Sequence, residues 1–171
     1  MSTTSPLGES LASLDPFAPF QLGPITLRNR FIRAGANEGM CVAGAPSKAL
    51  LKHHRDMAAG GVGLTTVAYG AVSEVGRTLE NQIWLCPSIL PDLKALAQAV
   101  HDEGGRISFQ ITHGGSFVTS CKVQGATMSA SSGLNKAGLL RGNYWQRAMN
   151  EADMERVASE FVTAAQLCRE A

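Results

Sequence analysis

The chain has 171 residues, of which 44% are hydrophobic, and its 15 Lys and Arg against 14 Asp and Glu give a formal charge of +1. That composition supports one packed core and excludes wholesale disorder. A near-neutral chain lacks the basic excess that nucleic acid demands, and no apolar run reaches the ~18 residues of a membrane span, so neither is an expected partner.

Residues 1–14 hold Ser, Thr, Pro, Gly and Glu9, without a basic stretch leading into an apolar one. They read as a flexible tail rather than a secretory signal, ahead of a single domain over 15–171. Two short apolar runs, 20–22 and 25–27, flank Gly23-Pro24 and predict a β-hairpin. Residues 31–36 read as a short strand that enters a glycine-bearing loop over 37–46. A helix follows over 47–59, where Leu50, Leu51, His54, Met57 and Ala58 share one face and Gly60-Gly61 is the stop. Residues 62–69 form a β-branched apolar run, the mark of a buried strand. The next helix begins near Pro91, with Leu93, Leu96, Ala97 and Val100 on its apolar face, and Gly104-Gly105 ends it. Residues 106–112 are a strand. Residues 116–149 are polar and glycine-rich without firm periodicity, and a connection this long is functional or carries a hairpin. The last helix starts at Asn150, a cap with Asp153 three residues on. Its expected buried stripe is Met154, Val157, Ala158, Phe161, Ala164, Ala165 and Cys168.

Strands alternating with helices imply parallel strands joined by crossover helices. No GxGxxG or GxxxxGK[ST] follows the first strand, so a nucleotide-binding open sheet has little support. The expected fold class is therefore α/β, the N-terminal portion of a (β/α)8 barrel with an N-terminal β-hairpin. A complete barrel takes about 250 residues, so the chain is expected to be truncated after its third βα unit.

In the third strand Ile107, Phe109 and Ile111 alternate with Ser108, Gln110 and Thr112, which puts the two sets on opposite faces. With the apolar set toward the helices, Gln110 faces inward near the C-terminal end, where barrels carry their active sites. An amide there donates and accepts, which suits a ring of alternating carbonyl and NH groups or a set of polar neighbours. His113, at the strand end, is an acid or base, a substrate contact, or a residue that packs the loop. The helical His53, His54 and His101 have no ligand partners at metal spacing, and Glu38 is the only acid close to the end of the first strand. Cys41, Cys86, Cys121 and Cys168 are far apart with no CxxC pair, as expected for reduced thiols in a cytoplasmic protein. No metal site is expected.

Five stretches, in order, resemble the old yellow enzyme family, the flavin mononucleotide (FMN)-dependent NADH:flavin oxidoreductases. They are Leu22-Gly23-Pro24-Ile25-Thr26-Leu27-Arg28-Asn29-Arg30-Phe31, Ala59-Gly60-Gly61-Val62-Gly63-Leu64, Val72-Ser73-Glu74-Val75-Gly76-Arg77, Ala99-Val100-His101-Asp102-Glu103-Gly104-Gly105-Arg106-Ile107 and Gln110-Ile111-Thr112-His113-Gly114-Gly115. The resemblance implies a (β/α)8 barrel with FMN across its C-terminal mouth and NADH or NADPH as reductant. It implies that Ala34, Gly35, Ala36 and Asn37, then Ala68 and Tyr69, offer backbone groups to the flavin. Gln110 matches the glutamine that bonds the flavin pyrimidine edge, and His113 is the candidate substrate contact. Many members carry Thr or Cys where Ala36 or Asn37 stands, so the means of tuning the flavin differs here. The family's substrate-anchoring His pair and phosphate-binding loops fall beyond Ala171, and no residue of this chain is assigned a catalytic role. The expected activity is hydride transfer from NAD(P)H through FMN to an activated alkene or related acceptor. The rivals are a non-catalytic truncated chain or pseudoenzyme needing a complementing chain, and a cofactor-free barrel lyase. Small-molecule substrates and possible homo-oligomers are the expected partners.

Overall fold

Gly23 takes a left-handed φ of +54°, which a residue without a Cβ does at no steric cost. It joins β1 (Phe20–Leu22) to β2 (Ile25–Leu27) as the expected antiparallel hairpin, with Phe20 opposite Leu27. The computed structural model describes residues 15–120, 122 and 126–171. The expected tail over 1–14 and Cys121 lie outside them. Cys41, Cys86 and Cys168 are free thiols.

β3 is shorter than expected, Ile32–Arg33 rather than 31–36. The backbone pairs with the sheet for those two residues and then leaves it, becoming a loop over 34–40. The loop expected over 37–46 carries a second hairpin, β4 (Cys41–Val42) and β5 (Ala45–Pro46), turned by Ala43 and Gly44 at φ +50° and +81°. α1 (Lys48–Ala59) starts at Ser47, whose Oγ accepts from the Leu50 N–H at 3.2 Å and donates to the Met40 carbonyl at 2.5 Å. It buries Leu50, His54 and Ala58, with Leu51 and Met57 half-buried.

β6 (Leu64–Ala71) is the central strand, followed by a short β7 (Ile83–Trp84) that periodicity had not marked. One 3-10 turn, Pro87–Ile89, leads into α2 (Leu90–Asp102), which buries the four residues expected, Leu93, Leu96, Ala97 and Val100. β8 (Arg106–Thr112) has the expected bounds. β6 pairs in parallel with β3, β7 and β8, and the β6–β8 register slips between Ala68 and Gly70, which bulges Tyr69 out of the ladder. α1 and α2 cover one face, and Val67, Ile83, Leu85, Leu93 and Leu96 meet there with Ile107, Phe109 and Ile111 of β8 packed against them. The third strand therefore turns its apolar set toward the helices, as its alternation implies.

The long connection carries a small sheet. β9 (Met128–Ser129) pairs in parallel with β11 (Trp145–Ala148), and β11 pairs antiparallel with β10 (Gly133–Leu134). α3 (Glu151–Glu170) begins at the Asn150 cap, and Asp153 closes a full capping box. Arg147 and Arg156 both ion-pair with Asp153, and that contact, Arg147 first, holds its carboxyl well below the usual range. The expected stripe of α3 is corrected: Ala164 and Leu167 are buried, Val157, Phe161 and Cys168 are half-buried, and Met154, Ala158 and Ala165 are exposed. α3 packs chiefly along β8 and α2, so a narrow strip of its surface is covered. Among the described residues no helix is long and apolar enough to cross a membrane.

Bottom-side contacts fix the hairpin to this layer. Arg28 donates to the carbonyls of Val62 and Glu103, each at 2.8 Å, and to that of Ala58. These lie at the C-terminal ends of α1 and α2, where carbonyls have no partner within the helix. Asn29 adds a bond to the Gly61 carbonyl at 2.6 Å.

Candidate functional site

The C-terminal ends of β3, β6 and β8 converge at one edge of the sheet. They bring together the loop holding Ala34, Gly35, Ala36 and Asn37, the bulge at Ala68 and Tyr69, and Gln110. A cavity of about 320 Å³ opens there, lined in part by Asn37, Ala68, Tyr69, Glu80, Gln82 and Arg141. A second cavity of about 220 Å³ lies on the helix side between α2, β8 and α3. It is lined mainly by apolar side chains, away from the strand ends.

Gln110 stands over Gly35. A Cβ at position 35 would lie 2.9 Å from the Gln110 Oε1 and 3.1 Å from the Ala68 Cβ. Glycine is required for the amide to rest there. The Gln110 side chain is exposed and has no hydrogen-bond partner among the described residues. An aligned, unpartnered donor and acceptor at the strand ends fits the edge of a pyrimidine-type ring. Next along the same face, Ser108 bonds the Thr66 hydroxyl at 2.9 Å, and Thr112 accepts from the Gln82 amide at 3.3 Å.

His113 is half-buried, with Nδ1 accepting from the Gly115 N–H at 3.2 Å. Its ring lies against Gly76, where an added Cβ would come within 2.5 Å of Cδ2. Nε2 is buried without a partner. Burial lowers the pKa of this imidazole, offset in part by Glu160.

The loop between β3 and β4 is held by Arg33, which the sequence did not single out, and by Glu38, the acid near the end of the first strand. Arg33 and Glu38 flank residues 34–37, and their ion pair, Nη1 to Oε1 at 2.7 Å, closes the loop at its base. The Glu38 side chain is only 3% exposed. Its Oε2 accepts from the Ala68 N–H at 3.3 Å, and Arg33 also donates to the Thr66 carbonyl at 2.9 Å. The first and second strand ends are thus tied through one buried carboxylate. The Ala68 N–H is taken by this tie.

His54 completes the cluster from α1. Nδ1 bonds the Thr65 hydroxyl at 2.8 Å, and Nε2 lies 3.7 Å from the Glu38 Oε1 with no hydrogen-bond partner. Burial first, then the nearby Arg33 and His53, lower its pKa to about 4. The Glu38 charge is already met by Arg33, so it does not offset this. The ring is neutral at neutral pH, and protonation is easier in the unfolded chain. Stability should therefore fall as pH drops from about 6.5 toward about 4, at up to about 1.4 kcal/mol per pH unit. Urea unfolding at stepped pH checks this. His54→Gln should flatten part of that slope and leave the share due to His113, and an unchanged slope would refute the assignment.

A second buried polar network shapes the far wall. Asn135 and Asn143 are both 0% exposed. Both side-chain amides donate to the Val118 carbonyl, at 2.7 and 3.2 Å. The Asn135 Oδ1 accepts from the Gly138 N–H at 3.0 Å, and the Asn143 N–H donates to the Gly138 carbonyl at 3.1 Å. A Cβ on Gly138 would come within 2.3 Å of the Asn143 carbonyl. This network fixes the 3-10 turn Leu139–Arg141, which ends at Gly142 with φ +81°. Among the described residues no group of three or more His, Cys, Asp and Glu could hold a metal ion.

Comparison with known proteins adds the following. The sequence profile of the NADH:flavin oxidoreductase / NADH oxidase family matches residues 15–171. The chain is 36% identical over 157 residues to a 4,4'-dithiodibutanoate disulfide reductase of Rhodococcus erythropolis, covering 91% of this chain and 38% of the relative. It is 29% identical to a multifunctional alkene reductase/demethylase OYE of Caballeronia cordobensis, over 93% of this chain and 24% of that one. The fold matches the crystal structure of Old Yellow Enzyme from Pichia sp. AKU4542 with a TM-score of 0.81 at 20% identity, covering 92% of this chain and 43% of the other. The chain thus spans less than half the length of each of these relatives.

Proposed function

Since the chain belongs to the NADH:flavin oxidoreductase / NADH oxidase family, we propose that it forms the N-terminal part of an FMN site in an oxidoreductase of the old yellow enzyme type. In this reading residues 15–171 supply the N-terminal hairpin and the first three βα units of a (β/α)8 barrel. A homo-oligomer or a complementing chain is a possible partner, and the compartment is the cytoplasm. The observation that carries the reading is the unpartnered Gln110 amide resting over Gly35 at the converging strand ends.

Gln110 would donate to and accept from the flavin pyrimidine edge. Ala34, Gly35, Ala36 and Asn37 would lie along the ring as a backbone platform. Asn37 lines the cavity beside Tyr69 and supplies the one amide side chain of that platform, where Ala36 has no polar group. The Ala68 N–H is held by Glu38, so this position would contribute its carbonyl and its methyl surface rather than a donor. The bulge turns Tyr69 toward the mouth, as bulges re-aim side chains next to sites. His113 would meet substrate only after its ring swings from Gly76.

Hydride transfer from NADH or NADPH to an acceptor is the chemistry that FMN supplies when bound. The acceptor is an activated alkene or a related small molecule. The 36% identity to a disulfide reductase favours an organic disulfide as a second acceptor class, reduced to two thiols by one hydride and one proton.

The test joins this chain to the remaining strands of a full-length relative. The joined protein should hold FMN and reduce cyclohexenone with NADPH. This chain alone should turn over several orders of magnitude more slowly, because three strand ends leave the transition state without most of its preorganised donors. A joined, folded protein without flavin would contradict the reading, as would comparable turnover from the chain alone.

A further inference from the structure

We infer that Arg141 makes the mouth cavity a binding site for an anionic oxygen group, the carboxylate or phosphate of a small-molecule ligand. Two charged side chains line that cavity, Glu80 and Arg141. The Glu80 carboxylate is already neutralised: it lies 3.1 Å from the Lys122 Nζ and accepts from the Ser120 hydroxyl at 3.1 Å. These contacts hold its pKa below the ordinary carboxylate value, the Lys122 contact first. Arg141 has no carboxylate partner among the described residues. Among the described residues the cavity therefore presents one uncompensated positive charge.

Arg141 is exposed, and the backbone turn that carries it is held in place. The turn is anchored by the Arg141 N–H, which donates to the Gly138 carbonyl at 2.9 Å, and by the buried pair Asn135 and Asn143. A guanidinium is a planar fork that matches a carboxylate or phosphate in two parallel hydrogen bonds. Fixing the turn that carries it reduces the ordering that binding would otherwise cost. A partly enclosed cavity also strengthens the attraction relative to open water. The inference rests on the strand ends being the ligand-binding end, as proposed above, and it specifies the charge of what enters.

The test uses the 15N-labelled chain. The Arg141 Nε–Hε resonance is assigned by its loss in Arg141→Gln, whose amide spectrum must otherwise match the parent. Glutarate, inorganic phosphate, neutral glutaramide and chloride are titrated at constant ionic strength. Glutarate or phosphate should move the Arg141 resonance saturably, while glutaramide and chloride should not. Arg141→Gln should weaken that binding about ten- to a hundredfold, and Arg141→Lys, a point charge without the fork, should fall between. FMN and riboflavin separate the sources. A shift with FMN but not riboflavin places the cofactor phosphate on Arg141, and a glutarate shift that persists with flavin present places a second ligand's carboxylate there. Anions acting no differently from chloride, or equal affinity in Arg141→Gln, would overturn the inference. The visible flavin band, read in the same samples, reports the flavin site separately, so a kept anion response without flavin binding would sink the functional reading alone.

Discussion

Glu38→Ala should destabilise the chain by about 3–5 kcal/mol, the cost of removing one partner from a buried ion pair. The Glu38 carboxylate is 3% exposed and serves the Arg33 guanidinium and the Ala68 N–H together. Its removal leaves a cation, 17% exposed, and a strand-end donor without their acceptor, and it unties the loop over 34–37. Glu38→Gln should recover part of the loss, because its carbonyl oxygen can still accept one of the two bonds. Urea unfolding followed by circular dichroism reads both variants. A loss below about 1 kcal/mol for Glu38→Ala would show that this tie does not hold the mouth.

Gln110→Ala should weaken flavin binding about five- to a hundredfold, the equivalent of 1–3 kcal/mol for a polar group left without its partner. Stability should change little, since the exposed amide has no partner among the described residues. Gly35→Ala should weaken binding by a comparable amount through a different cause. Its new methyl would sit 2.9 Å from the Gln110 Oε1 and force the amide off the platform. The two substitutions share one target, so the double variant should be no worse than the stronger single one. Additive losses would mean that Gly35 serves the backbone alone.

The strand and helix order was legible because each element carries its own local signal. The alternation of Ile107, Phe109 and Ile111 with Ser108, Gln110 and Thr112 gave both the bounds of β8 and the facing of Gln110. Gly23-Pro24 marked the hairpin, and Asn150 with Asp153 marked the start of α3. Where a feature depends on partners distant in sequence, periodicity is silent. β3 stops after Arg33 because its sheet pairing ends there, and no residue type announces that. The expected stripe of α3 assumed a broad packed face, whereas β8 and α2 cover a narrow one. Glu38 stood out in the sequence as the acid near the end of the first strand, but its burial arises from Arg33, Ala68 and His54, on three different elements. Asn135 and Asn143 sit in a stretch whose polar composition reads as solvent-exposed loop, yet both are fully buried. An asparagine gives the same sequence signal whether water or a backbone carbonyl satisfies it. Gly138 between them is the one trace such a network leaves, and a glycine in a loop is common.

The central claim is that these three strand ends receive the ring of a flavin, and titration of FMN and riboflavin into the purified chain tests it most directly. The visible flavin band of each compound should be perturbed saturably, because the mouth meets the ring that they share, and Gln110→Ala should weaken both responses. A band that stays unperturbed up to the solubility limit, or a response that Gln110→Ala and Gly35→Ala both leave intact, would contradict the account.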